Sequence, residues 1–519
     1  MKTVVTGSEM KAIDTYTIQE LGIPSLVLME RAALSMVCRM RKEISKADRI
    51  LCVCGAGNNG GDAVAVARIL FGQGYASAIY MAGIPEKWTE ETKKQIQIAR
   101  NVGVPEYNEL DLRHIRVVVD GIFGIGLSKS VREPYHTMIN KLNAWREGCE
   151  HRSIWAVDVP SGLSSDTGQV LGCAVKADAT VTFGYIKRGM LLYPGRDFAG
   201  KCYVEDIGFP KKSLDMNPVL GFTCDVQDFE QLPERKNDSN KGSYGKILII
   251  AGSKNMSGAA YFAGRAAYVS GAGLVRILAP EANRTILQTQ LPQAMISVWE
   301  EMDEASLADV LHWADALVIG PGVGTEGKMA ENIEKVLRMA NCPVVMDADG
   351  LNLLAEYESW YPLLEGHTVV TPHMGEMARL TGKTIEDLKA DRAGAAIEYA
   401  RSRKLVCVLK DSSTVVSDGR QVYFNCNGNH GMATGGSGDI LAGVIGAFLG
   451  AYVKEAGMDC GAEENEKDVC SAEALFKAAY MGVYFHGCAG DAAAKCFSAR
   501  GMTSVEIIEG LLEVYKGLN

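Results

Sequence analysis

Within the stretch NGNHGMATGGSGDILAGVIGAF (427–448), Gly435, Gly436 and Gly438 run directly into Asp439 and an apolar helical pattern. Glycines at such a point expose a row of backbone N–H groups at a helix N-terminus, which makes a ready anion site. A carboxylate beside an anion site is badly placed if its only job is structural. It suits a general base that takes a proton from a hydroxyl attacking a phosphoryl group. The competing reading of Asp439 is a helix cap.

A second glycine cluster, GAGNNGGD (55–62), follows the apolar run ILCVC and reads Gly55-x-Gly57-x-x-Gly60. That is the spacing of a dinucleotide-binding turn. A dehydrogenase would also offer an Asp or Glu to the ribose about 20 residues further on. Here the next strand ends at Met81 or Ala82 with no acid, and Glu86 lies beyond Pro85. Asn58, Asn59 and Asp62 make the turn unusually polar. The loop therefore reads as one that binds a polar ligand or an ion, and hydride transfer falls behind.

The G-x-G-D element resembles the ribokinase-like superfamily. With it come YGKILIIAGSKNMSGAAYFAGRAAYVSGAGLVRI (244–277), VIGPGVG, MDADGLNLL, TPHMGEMARLTG and LKDSSTVVSDG, in that order. Over about 235–515 this set resembles the ADP-dependent NAD(P)H-hydrate dehydratases. GAGNNGGDAVAVAR, VDGIFGIGLSKSVREPY and VDVPSGLSSDTGQ make roughly residues 8–215 similar to the NAD(P)H-hydrate epimerase family. The fused order resembles the bifunctional bacterial repair enzymes of that chemistry.

The resemblance implies two sites. In the first, Asn58, Asn59, Gly60, Gly61 and Asp62 touch the hydrated dinucleotide, as do Gly124, Ile125, Gly126, Leu127, Ser128, Lys129, Ser130, Tyr135 and Asp158. Asn59, Asp120 and Ser161 would hold potassium, a hard cation suited by amide, carboxylate and hydroxyl oxygens; Asp120 also reads as a capped turn before GIFG. Lys129 and Asp158 form the expected acid–base pair for inverting the C6 carbinol. In the second, Ala260 (or Ala259), Gly322, Gly324, His373 and Asp439 meet the hydrate. Lys410, Asp411, Ser412, Ser413, Thr414 and Gly438 meet ADP, with magnesium on its phosphates. His373 also reads as a satisfied turn histidine, and Asp347 and Asn352 as parts of the frame. Asp411 stands where the family commonly has Gly, so the loop geometry there depends on φ not being strongly positive.

The elements must bring these residues together. At 519 residues the chain exceeds one core, and 47% apolar with 22% charged residues is an ordinary globular composition. Apolar strands alternate with helical stretches through the first half, implying an α/β, Rossmann-like doubly wound sheet. A polar, turn-rich passage around 210–245 separates it from a ribokinase-like α/β second half, giving domains 1–222 and 223–519. Each strand of the second half ends in a polar or glycine cluster, so their ends converge on one rim. GMDCGAEENEKD (457–468) reads as a solvated loop, and ILAGVIGAFLGAYV (440–453) as a buried helix.

A net charge of −10 without a basic block argues against nucleic-acid binding. Fourteen cysteines lie in apolar surroundings with no C-x-x-C pair, as expected of reduced thiols in a cytoplasmic protein. No secretory signal or membrane span is visible. The expected partners are small molecules: NADH and NADPH hydrates and ADP. The resemblance also implies a homo-oligomer. A rival reading is a ribokinase-like small-molecule kinase carrying a non-catalytic N-terminal binding module.

Overall fold

The computed structural model describes residues 1–455 and 471–517, so the acidic stretch 457–468 lies outside the described residues. Two compact units are present, Thr3–Phe222 and Thr223–Asn519 with Met1–Lys2.

In the first unit, residues alternate along Arg49–Cys54 between two helical layers. Cys52 and Cys54 pack with the helices Ser25–Met40 and Asn58–Gly72, whereas Leu51 and Val53 pack with Tyr135–Glu147. A strand apolar on both faces must be central to a covered parallel sheet. The sheet has seven strands, ordered Glu106–Tyr107, Ala76–Met81, Arg49–Cys54, Val117–Gly121, Ser153–Val157, Ala179–Phe183 and Lys201–Glu205. All six pairings are parallel. The chain winds outward from Arg49–Cys54 and then returns to its other side as Val117–Gly121. Between those two strands the loops diverge and leave a crevice at their carboxyl ends. A short parallel pair joins Val4 and Val5 to Ile186 and Lys187.

The second unit has the same logic. Its strands run Met295–Val298, Leu274–Ala279, Lys246–Ile250, Ala316–Ile319, Val344–Met346, Thr368–Val370, Val406–Leu409, Val415–Ser417 and Val422–Phe424. The first seven are parallel; the last two join antiparallel, which the alternation of motifs did not reveal. The order reverses between Lys246–Ile250 and Ala316–Ile319, beside the turns AGS and GPGVG. The helix Ser437–Glu455 is long and apolar enough to cross a bilayer, yet it is mostly buried, packed on Ser257–Val269 and Ala472–Phe497. The described cysteines are free thiols, with Cys52, Cys54, Cys342 and Cys407 buried.

Candidate active sites

The glycines of the 55–62 turn serve packing first. A Cβ on Gly55 would stand 1.9 Å from the Ile122 carbonyl oxygen, and one on Gly60 the same distance from that of Gly55. Gly57 has open space around it and a φ of −84°. The fingerprint spacing thus records how closely this helix crosses the adjoining strand ends. Gly60→Ala is expected to destabilise the chain by about 1–3 kcal/mol or more, as overpacking does, and Gly57→Ala to be near neutral. Thermal unfolding of the two variants decides it, and equal melting temperatures would refute the reading.

Around this turn lies a cavity of about 550 Å³ lined by Asn58, Asn59, Asp62, Gly124, Ile125, Gly126, Leu127, Tyr135 and Asp158. Gly60 and Gly61 are buried behind it, and Ser128, Lys129 and Ser130 are exposed outside its lining. Lys129 is therefore not brought to Asp158. The ammonium on Asp158 is that of Lys187, with Nζ 2.5 Å from Oδ1 and the side chain 1% exposed. Lys187 also donates to Thr182 Oγ1 (2.9 Å) and the Phe183 carbonyl (3.0 Å). Asp158 Oδ1 accepts in addition from Thr182 Oγ1 and the Phe183 amide. Among the described residues, Oδ2 has no partner. Asp158 holds a φ of +64°, a conformation an Asp tolerates better than most residues.

Sequence reasoning also missed Asp14, which lines the same cavity. Its signal was available: it lies on the side of Gly7–Gln19 that buries Met10, Ile13 and Thr17. Burial, then the charge of Asp158, raises the carboxyl pKa of Asp14. The same causes push Asp62 well above the usual carboxylate range.

Beside the cavity, Asp120 is fully buried and hydrogen-bonded only to neutral groups. Ser161 donates to it through Oγ (2.6 Å) and N (2.8 Å), and the Ile122 amide approaches at 3.2 Å. Burial raises its pKa to about 6. Ser161 Oγ also accepts from the Phe123 amide, and Asn59 Nδ2 donates to the Phe123 carbonyl. Asn59, Asp120 and Ser161 are thus brought together, with a buried carboxylate that no cationic side chain neutralises among the described residues. That donor set fits potassium.

In the second unit, Lys410 and His373 are joined by a parallel bridge between the turns TPH and LKD. Lys410 Nζ lies 2.6 Å from Asp347 Oδ1 and 4.0 Å from Glu376 Oε2; Thr371 Oγ1 also donates to Asp347 Oδ1 (2.7 Å). Burial alone would lower the lysine pKa, but Asp347 and Glu376 raise it above its ordinary value. Asp347 is thereby tied to Lys410 and Thr371. Asn352 donates to Asp349 Oδ1, and Gly324, in GPGVG, donates to Asp349 Oδ2 (2.9 Å).

The start of Ser437–Glu455 abuts this cluster. A Cβ on Gly438 would stand 3.5 Å from Lys410 Nζ and 3.8 Å from Asp347 Oδ2. The first-turn amides of such a helix have no intrahelical acceptors. Burial, then Asp347, raises the Asp439 pKa to about 6, against the pull of Lys410. His486, buried on Ala472–Phe497, reaches Ser437 Oγ at 3.4 Å and is kept neutral by burial and Lys410, with a pKa lowered to about 4.

Other expected residues make contacts of their own within the second unit. His373 Nδ1 accepts from the Gly375 (2.9 Å) and Glu376 (3.2 Å) amides, capping the helix Met374–Thr381 while half its side chain stays exposed. Ala260 is fully buried; the methyl facing Gly322 is that of Ala259, 2.9 Å from a Cβ placed there. Asp411 does not need a glycine conformation, because its φ is not positive, and its carboxylate pairs with buried Arg392 (2.6 Å). Thr414 Oγ1 donates to the Asp411 carbonyl; Ser413 is buried and Ser412 exposed.

Residues 247–512 match the family described as NAD(P)H-hydrate dehydratase, and residues 25–189 match that described as YjeF-related protein N-terminus. A bifunctional NAD(P)H-hydrate repair enzyme of Moorella thermoacetica is 34% identical, over 99% of this chain and 97% of its own. The chain belongs to the family of bifunctional NAD(P)H-hydrate repair enzymes. Members from Thermofilum pendens (33% identity, 99% of this chain and 96% of that one) and Escherichia coli (32%, 99% and 94%) are similar over the same span. Among solved structures, the Bacillus subtilis ADP/ATP-dependent NAD(P)H-hydrate dehydratase co-crystallized with ATP/Mg2+ is 28% identical. The similarity covers 57% of this chain and 98% of that one, with a TM-score of 0.45.

Proposed function

We propose that this chain returns both epimers of hydrated NADH and NADPH to the reduced cofactor, the first unit interconverting R and S forms and the second dehydrating the S form with ADP. The observation that carries the second half of this reading is Gly438 and Asp439 set against the buried Lys410–Asp347 pair. Asp439 takes the proton of the C6 hydroxyl, whose oxygen attacks the terminal phosphoryl group of ADP. Lys410 and the first-turn amides stabilise charge developing on the phosphoryl oxygens. The C6–O bond of the phosphorylated carbinol then breaks as the ring nitrogen's lone pair forms a C=N bond, and phosphate leaves. Loss of a proton from C5 restores the C5=C6 double bond of the reduced cofactor; AMP is the other product. ADP enters as its magnesium complex. In the first unit, Asn59, Asp120 and Ser161 would hold potassium, which would supply the positive charge that the buried Asp120 carboxylate lacks as a partner.

The test is an R/S mixture of NADH hydrate with potassium, magnesium and ADP, followed at the reduced-nicotinamide absorbance band. Complete recovery of absorbance is expected. A stable phosphorylated product without recovery would instead mark a small-molecule kinase.

A further inference from the structure

The cavity of the first unit holds three carboxyl groups and only one fully buried ammonium. Asp14, from Gly7–Gln19, and Asp62, from Asn58–Gly72, make no hydrogen bond or ion pair among the described residues. Asp158 has the whole of Lys187. That lysine has three protons and three acceptors, Asp158 Oδ1, Thr182 Oγ1 and the Phe183 carbonyl, so none is left for a ligand. Lys187 cannot serve as donor without breaking its own site, Lys129 is exposed outside the lining, and Lys11, though in the lining, is an exposed side chain in solvent. Two unpaired carboxyls beside an ionised one cannot all carry charge in a buried cavity, so protons stay where the ammonium is not.

Resting on the epimerase reading above, we propose that Asp62 is the proton donor of the epimerisation, with Asp158 Oδ2 as the acceptor and Lys187 as the positioning residue that reserves the negative charge for Asp158. In the R-to-S direction, the C6–O bond breaks as the ring nitrogen's lone pair forms a C=N bond, and the Asp62 proton leaves with the oxygen as water. A water then adds to the opposite face of C6, forming the new C–O bond and giving its proton to Asp158 Oδ2. The ring nitrogen regains its lone pair. Asp62 ends ionised and Asp158 protonated; the S-to-R turnover runs the same steps with the roles exchanged, and proton exchange with solvent resets the pair. No external reductant or oxidant enters.

The charged groups around Asp62 are Asp158, Asp14, Lys187 and the exposed Lys11 of the cavity lining, with Glu91 acting on Asp14 from Glu90–Val102. Burial, Asp158 and Asp14 favour the protonated acid against the pull of Lys187. The rate is therefore expected to fall at high pH as Asp62 ionises, an alkaline limb that belongs to Asp62.

The test uses the full chain with potassium and purified R-hydrate, without ADP, and follows formation of the S form by chromatography. Asp62→Asn is expected to lower kcat by about 10²–10⁴-fold with KM little changed, and to abolish the alkaline limb. Unaltered kcat, or a loss confined to KM, overturns the proposal. So does Tyr135→Phe producing the loss that Asp62→Asn does not, since that phenol also lines the cavity. Should Asp62→Asn fail to fold, the wild-type pH profile decides: a rate that stays flat into the alkaline range overturns the assignment. A wild type with no epimerisation at all is a different result and removes the functional reading itself.

Discussion

Asp439→Asn is expected to lower ADP-dependent recovery of NADH from the S-hydrate by about 10²–10⁴-fold, the usual worth of a positioned general base. Asn keeps the shape and suits a helix start, so the first turn of Ser437–Glu455 and its amides should remain in place. The loss should therefore appear in turnover, with ADP binding largely retained. The same residue sets a pH dependence. A base works only when ionised, and burial with the Asp347 charge holds Asp439 protonated up to about pH 6. The kcat/KM for dehydration should thus fall tenfold per pH unit on going below that value, and the limb should vanish in the variant. Retention of wild-type kcat/KM by Asp439→Asn would remove the phosphoryl-transfer role and leave Asp439 as a cap.

Asp158→Asn should abolish epimerisation while sparing dehydration. In an R/S mixture with ADP, absorbance should rise only as far as the S fraction and then creep upward at the uncatalysed rate. Asn tolerates the left-handed backbone at this position, so the substitution tests chemistry more than fold. It also strips Lys187 of its only ion pair among the described residues. Removing one member of a buried pair costs up to about 3–5 kcal/mol, so a lower melting temperature should accompany the kinetic change. Full recovery of both epimers at the wild-type rate would show that Asp158 is not needed.

Motif positions were legible because their glycines and turns are local. The Asp439 helix start and the carboxyl-edge location of both clusters follow from strand ends carrying polar residues, whereas the grouping of Asn59 with Asp120 and Ser161 came from the family resemblance. Lys187 was not legible. It lies in FGYIKRGM, where nothing in the spacing separates it from a surface lysine; its inward direction comes from pairing with Val5, about 180 residues away. Lys129 drew attention only through the family resemblance; it sits in a polar glycine loop, which is what leaves it in solvent. Asp411 shows the reverse case: a departure from the expected glycine is accommodated because the backbone there is ordinary and Arg392 supplies a partner.

The conformation of Asp158 restricts how this position can vary over evolutionary time. A φ of +64° admits Gly, Asn and Asp at little cost and penalises the rest. Of those three only Asp carries a carboxylate. Glu, the ordinary conservative exchange for Asp, would have to accept the strained backbone and would overreach Lys187. Lineages cannot drift through Glu and return; they keep Asp or abandon the reaction. Relatives with Asn or Gly at this position should accordingly be read as having lost epimerisation while keeping the fold, which makes this single position a marker for sorting working enzymes from silent copies.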